Sequence, residues 1–244
     1  MDNPPKQLID SLLSYFRGED RFDGLGLPNL SRNYEWPKRG NFPSYSHLAK
    51  VNEGTGDNYA KNIMLKEQSP RIWKDGDKLE VSKWVIADWG GIKGNSAATV
   101  ASYASAISEG HYPDEIKGVA SYSKILSFMD PSEFAIYDAR VAISLNAIQL
   151  LRGDKNGTAF TYLPGRNTKL QTFRKLPSTQ RRALLQSGWN AVAANDCYNF
   201  YLNTLKQVKS ELVAAKLYEL EMSLFADAEK LADRYIEAPQ REQV

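Results

Sequence analysis

From Gly118 to Leu151 the order of residues leaves this chain few ways to fold. Apolar residues fill a helical run before Asp130-Pro131. They recur after Asp138, where Val141, Leu145, Ile148 and Leu151 mark one helical face. A tight turn at Asp130-Pro131 and an extended apolar pair, Ile136-Tyr137, separate the two runs. The pattern calls for two helices joined by a short, partly extended link. It leaves a lysine, Lys124, inside the first run and a carboxylate, Asp138, opening the second.

The flanks read as further helix. Leu8, Ile9, Leu12, Leu13 and Phe16 predict an amphipathic helix over residues 6–17. Residues 23–60 are rich in Gly, Pro, Asn, Ser and Tyr and read as loop with short ordered pieces, Gly54-Thr55-Gly56-Asp57 being a turn. Leu79 to Ile86 fits a strand by alternation or a helix stopped at Gly90-Gly91, and the paired glycines favour the helix. Asn95 or Ser96 caps a helix running to about Ser108, and Pro113-Asp114-Glu115 begins the next. Asp130-Pro131-Ser132-Glu133 carries the residues of a helix start. Gly153 to Thr168 is turn-rich, and about Ser178 to Tyr235 reads as helical, with Val208, Leu212, Leu217, Leu220, Leu224 and Leu231 near one face. The fold class is predominantly α. The chain reads as one helical domain over 1–244, or as two lobes with the site between them.

Several function classes fall away. The single cysteine, Cys197, excludes an intrachain disulfide and a four-cysteine metal or iron–sulfur site, and it fits a reducing, cytoplasmic setting. His47 and His111 have no ligand-like neighbours, so no metal and no cofactor is expected. The first residues carry no cleavage pattern of a signal peptide, and no apolar run reaches membrane-spanning length.

Charge is nearly balanced overall but unevenly placed. No acidic residue occurs from Lys155 through Asn195, a stretch holding Lys155, Arg166, Lys169, Arg174, Lys175, Arg181 and Arg182. From Glu211 onward acids outnumber bases. Such a basic block is either a polyanion-binding face or a solvated face with no partner.

Ser123-Lys124-Ile125-Leu126-Ser127-Phe128, Pro131 and Ala135-Ile136-Tyr137-Asp138-Ala139-Arg140-Val141 together resemble the catalytic core of helix-hairpin-helix DNA glycosylases. The nearest branch is the 8-oxoguanine-glycosylase-like one, which includes members from bacterial antiviral loci. The resemblance covers about residues 118–150. It implies a helix-hairpin-helix glycosylase-like helical fold, an essential aspartate at Asp138 and a hairpin gripping DNA phosphates around Gly118, Ser121, Tyr122 and Ser123. Two registers fit the family's nucleophilic lysine: anchoring on the lysine gives Lys124, whereas anchoring on Gly118 puts Tyr122 there. The family's second hairpin glycine is absent, and Ala120 follows Gly118-Val119.

The chemistry gives each residue a reason. Breaking an N-glycosidic bond builds positive charge on the sugar, which a fixed carboxylate stabilises, and the same carboxylate can activate water or an amine. An attacking lysine must be neutral, and one with an ordinary pKa near ~10.4 is neutral in only about one molecule in a few thousand at pH 7. Apolar neighbours such as Ile125, Leu126 and Phe128 are of the kind that desolvate an amine. A flipped base needs stacking faces, for which Trp84, Trp89 and Trp73 are the candidates. Arg140, Arg166, Asn167, Lys169, Arg174 and Lys175 are candidate DNA contacts. Plainer roles exist for each: Asp138 as a helix cap, Lys124 as a phosphate contact, Arg140 as a salt-bridge partner. The expectation is a DNA N-glycosylase acting on duplex DNA with a modified or damaged base, with antiviral defence against modified phage DNA as one setting. The alternative is a DNA-binding module that keeps such a fold without the chemistry.

Overall fold

A computed structural model describes residues 3–36 and 56–238. The protein is predominantly α-helical. In chain order the helices are α1 (Lys6–Arg17), α2 (Leu30–Asn33), α3 (Asn58–Asp75), α4 (Lys78–Lys83), α5 (Ala97–Ser108), α6 (Val119–Met129), α7 (Ala139–Arg152), α8 (Thr168–Lys175), α9 (Arg181–Gln186), α10 (Cys197–Ser210) and α11 (Leu217–Glu237). Two short strands, β1 (Thr158–Ala159) and β2 (Asn190–Ala191), pair in parallel.

Helix α7 is the centre. Its residues Val141 to Gln149 are buried all round, with α1, α8 and α11 packed against it. A helix buried on every side must also satisfy its polar groups internally. Ser144 Oγ donates to the Leu224 carbonyl at 2.6 Å. Asn146 exchanges two hydrogen bonds with the backbone of Phe160, both 3.0 Å. Gln149 does the same with Thr158, at 2.7 and 3.0 Å. These two amides stand in for a neighbouring strand and dock residues 158–160 on α7.

The link between α6 and α7 departs from the sequence reading. Asp130 accepts from the backbone N–H groups of Ser132 and Glu133 as a helix cap would, yet only one turn forms. The chain then runs extended, because side chains take the backbone groups that a helix would pair. Tyr198 and Tyr201 donate to the carbonyls of Ala135 and Ile136 at 3.0 and 2.9 Å, and Ser123 Oγ accepts from Tyr137 N at 3.2 Å. Residues 113–115 likewise start no helix; α6 begins at Val119, after Gly118 at φ +80°. The expected helix over 178–235 is broken by β2 and by the turn before α11. The loop expected over 23–60 contains α2, and α3 begins inside it with Asp57 as its capping residue. The remainder of that loop, residues 37–55, lies outside the described residues, as do Gly54 and Thr55 of the expected turn and His47.

Helix α4 continues into a π-helical turn, Trp84–Trp89, that ends at Gly90 as the two glycines suggested. The wide turn carries Trp89 and Gly90 to the surface of α6. Gly118 is under a tight constraint: a Cβ there would lie 2.0 Å from the Tyr103 hydroxyl, on a backbone that L-residues rarely adopt. Gly118→Ala should therefore cost at least about 1–2 kcal/mol from the left-handed backbone alone. Urea unfolding will show this as a lower midpoint with an unchanged slope.

Candidate active site

Helix α6 exposes one edge to a cleft of about 520 Å³, and Ser121 and Lys124 lie on that edge one turn apart. The extended link brings Ile136 and Asp138 to the same cleft. Asp138 serves two structures at once. Its Oδ1 accepts from Arg140 N and Val141 N, at 2.9 and 3.1 Å, capping α7. Its Oδ2 lies 3.8 Å from Lys124 Nζ. The Lys124 side chain is 6% exposed and that of Asp138 16%, so the pair meets at the cleft wall with little water around it.

Close packing makes room for this lysine. A Cβ on Gly90 would come within 2.6 Å of Lys124 Cδ, so the bare backbone at the end of the π-turn is what lets the side chain lie across it. Aromatic rings form another side of the cleft. Trp36 and Phe225 meet edge-on with centroids 5.7 Å apart, and Trp36 Nε1 donates to the Trp89 carbonyl at 3.0 Å. Trp89 is held in turn by Asn62, whose Oδ1 accepts from its Nε1 at 3.1 Å.

A second buried pair lines the same cleft. Lys66 of α3 and Glu221 of α11 approach to 3.4 Å, with side chains 3% and 4% exposed. Lys66 Nζ also donates to Ser127 Oγ at 2.5 Å and sits 5.5 Å from the Trp89 ring centroid. Burial pushes the Lys66 ammonium below the usual lysine range, against the opposing pull of Glu221, and nearby Lys124 pushes the same way as burial. Burial raises the Glu221 carboxyl above the usual range; Lys66 opposes this and the charge of Asp138 adds to it.

One stripe of α11 organises this side of the site. Glu221, Phe225, Glu229 and Asp233 stand four residues apart, so they share a face. Glu221 and Phe225 line the cleft. Glu229 binds Arg140 at 2.5 Å and Asn167 Nδ2 at 2.8 Å, while Asp233 binds Lys169 at 2.8 Å. Arg140 also lies over the Phe225 ring, 4.9 Å from its centroid.

The structure thus sorts the residues singled out in the sequence. Lys124, Asp138, Ser121, Arg140, Trp89, Arg166 and Asn167 converge on the cleft. Asn167 caps α8 as well. Trp84 and Trp73 do not line it. Trp84 packs edge-on to Phe128 with centroids 5.7 Å apart, and Trp73 is buried beside Lys78. Tyr122 is enclosed between Tyr103 and Tyr198 and donates to the Glu115 carbonyl at 2.6 Å, so it presents nothing to a ligand. Ser123 is fully buried and committed to Tyr137 N. Gly118 is half-buried against Tyr103, and Ser121 accepts from Asn95 Nδ2 at 2.8 Å. The acid-free basic block is partly neutralised in space: Asp233 takes Lys169, and Arg174 donates to the Leu163 carbonyl at 3.2 Å. Exposed Arg166 and Lys175 make no side-chain hydrogen bond or ion pair among the described residues. Sequence reasoning missed Trp36, Lys66, Lys93, Glu221 and Phe225 as cleft residues. The four-residue spacing from Glu221 to Asp233 was the one signal available for any of them.

A scan against protein-family models finds no match to this chain, and neither does a search of curated proteins or of solved structures. Among the described residues no cluster of three or more His, Cys, Asp or Glu side chains could hold a metal ion, and no helix is long and apolar enough to cross a membrane.

The buried pair gives a stability test. Lys66→Met leaves Glu221 buried without its cation and should cost about 3–5 kcal/mol, whereas Lys66→Met combined with Glu221→Met should return close to wild-type stability or above it. Unfolding midpoints of the two variants measured side by side will separate these outcomes.

Proposed function

We propose that this protein is a DNA N-glycosylase that takes a modified or damaged base from duplex DNA into the cleft and breaks its glycosidic bond. The observation that carries this reading is the 3.8 Å approach of the largely buried Lys124 Nζ to Asp138 Oδ2 in the wall of an aromatic-sided cleft. Duplex DNA presents a base to such a site only by flipping it out of the stack, and stacking surfaces repay part of that cost. Trp36 and Phe225, both part-buried on the cleft lining, supply those surfaces. Exposed Arg166 and Lys93 lie on the cleft lining without ion-pair partners among the described residues, and are suited to the phosphates on either side of a flipped nucleotide.

In the reaction the bond from C1′ to the base nitrogen breaks, the electron pair leaves with the base, and a proton neutralises that base. Positive charge grows on the sugar. Asp138 carries the opposing charge, and its orientation is set in advance by the two backbone N–H groups at the start of α7. Lys124, having passed a proton to the Asp138 carboxylate or to water, then attacks C1′. The C1′–O4′ bond breaks, O4′ takes up a proton, and the ring-opened sugar is left as an imine on Lys124. A water activated by Asp138 would instead yield a free abasic site. Tyr122 is enclosed, whereas Lys124 lines the cleft beside Asp138, and this supports Lys124 over Tyr122 at the nucleophile position and with it the imine route. The setting, whether repair or defence against modified phage DNA, follows from which base is released.

Three outcomes are expected. Incubated with a panel of modified DNAs, including modified phage genomes, the protein should leave abasic sites in at least one, and borohydride should trap a covalent adduct that Lys124→Ala does not form. Asp138→Asn should keep the cap, fold within ~1 kcal/mol of wild type and lose base release. DNA binding without base release on any member of the panel would instead leave a non-catalytic DNA-binding module. For affinity, Arg166→Ala should flatten the log–log salt dependence of duplex binding by about 0.9, the contribution of one phosphate. Lys169→Ala should change it little, because Asp233 already holds that ammonium.

A further inference from the structure

Lys66 and Glu221 are a costly arrangement if their only task is to hold α3 to α11. Both side chains are nearly fully buried, and their contact, at 3.4 Å, is long for a charge-assisted hydrogen bond. Apolar residues of the same size would be at least as stable there. Glu221 spends little of its capacity: a carboxylate offers about four acceptor positions, and among the described residues Glu221 accepts only from Lys66. Yet both side chains line the cleft that holds Lys124 and Asp138. Ser127, the tighter partner of Lys66, and the Trp89 ring beneath its ammonium restrict where that donor points. The result is a fixed donor beside an under-used acceptor in a dry wall, next to three aromatic rings.

We propose that Lys66 and Glu221 read the polar edge of the base in the cleft, Glu221 accepting from a base N–H and Lys66 donating to the adjacent carbonyl oxygen or ring nitrogen. This rests on the cleft receiving a flipped base. The ligand class is an uncharged heteroaromatic ring with a donor next to an acceptor. The two buried ammonium groups, Lys66 and Lys124, are each matched by a carboxylate, Glu221 and Asp138, while Lys93 and Arg166, unpaired among the described residues, stand on the exposed part of the lining, where they suit phosphates rather than the base. A base that lacks either group would leave a buried charge unpaired, which is the strongest form of discrimination available to such a site.

The test uses the full chain with Lys66→Met and Glu221→Met combined, because the single changes strand a charge and the pair does not. Tryptophan fluorescence would be titrated with free nucleosides, plain and modified. In parallel, fluorescence anisotropy would measure binding to a duplex containing a tetrahydrofuran abasic-site analogue, which has no base to read. The wild type should bind at least one nucleoside. The folded double variant should bind that nucleoside about 10- to 100-fold more weakly while holding the abasic duplex as the wild type does. Equal nucleoside binding by both proteins would overturn the assignment, and so would a wild type that binds none. A parallel loss of abasic-duplex binding would also overturn it, showing that the pair supports the cleft as a whole. If the variant loses nucleoside binding while the wild type releases no base from any DNA, edge reading stands and the glycosylase reading fails.

Discussion

The division of labour within the Asp138 carboxylate governs the rest of the molecule. One oxygen ends the unpaired N–H groups of α7, the helix on which α1, α8 and α11 pack, and the other turns toward Lys124. A side chain fixed by two backbone hydrogen bonds cannot rotate away from the cleft without uncapping the central helix. Stability and the placement of the carboxylate in the cleft are therefore one constraint. The extended link before Asp138 serves it too. Tyr198, Tyr201 and Ser123 each hold a backbone group of residues 135–137, and so set where the carboxylate emerges.

Helix α11 contributes in a different way. Residues four apart on it meet, in turn, the cleft floor, the aromatic wall, the arginine that follows Asp138, and the helix after the 164–167 loop. Exposed contacts at the far end, such as Lys169 with Asp233, add little to stability. The buried contact at the near end is expensive to maintain. A single helix face thus grades from solvated pairs to a desolvated one.

Much of the helical framework was legible in the residues. The periodicity of Leu8 to Phe16, the glycines after Trp89, Ser96 before α5 and Asp138 before α7 each act within one or two turns of helix, so local physics is enough to read them. The residues of the Asp130 turn misled for the same reason. Its capping hydrogen bonds form, but the chain beyond it is claimed by tyrosines about sixty positions later in the chain. The charge of basic residues 155–195 could not be read locally either, because the acid that pairs with Lys169 comes from α11.

Among the candidate site residues, Lys124 and Asp138 stood out in sequence because a lysine and a carboxylate flank one turn within a single apolar segment. Lys66, Trp36 and Phe225 did not, since each belongs to a separate stretch and only packing brings them to one cleft. The four tryptophans from Trp36 to Trp89 were indistinguishable as letters. Tertiary structure sent Trp84 and Trp73 into the core and turned Trp36 and Trp89 to the cleft. By itself the sequence determined which segments are helical and where a carboxylate must begin one, because caps and periodicity are short-range. Only the tertiary structure decided which side chains share the cleft and which charges are already spent, because burial and ion pairing are set by residues distant along the chain.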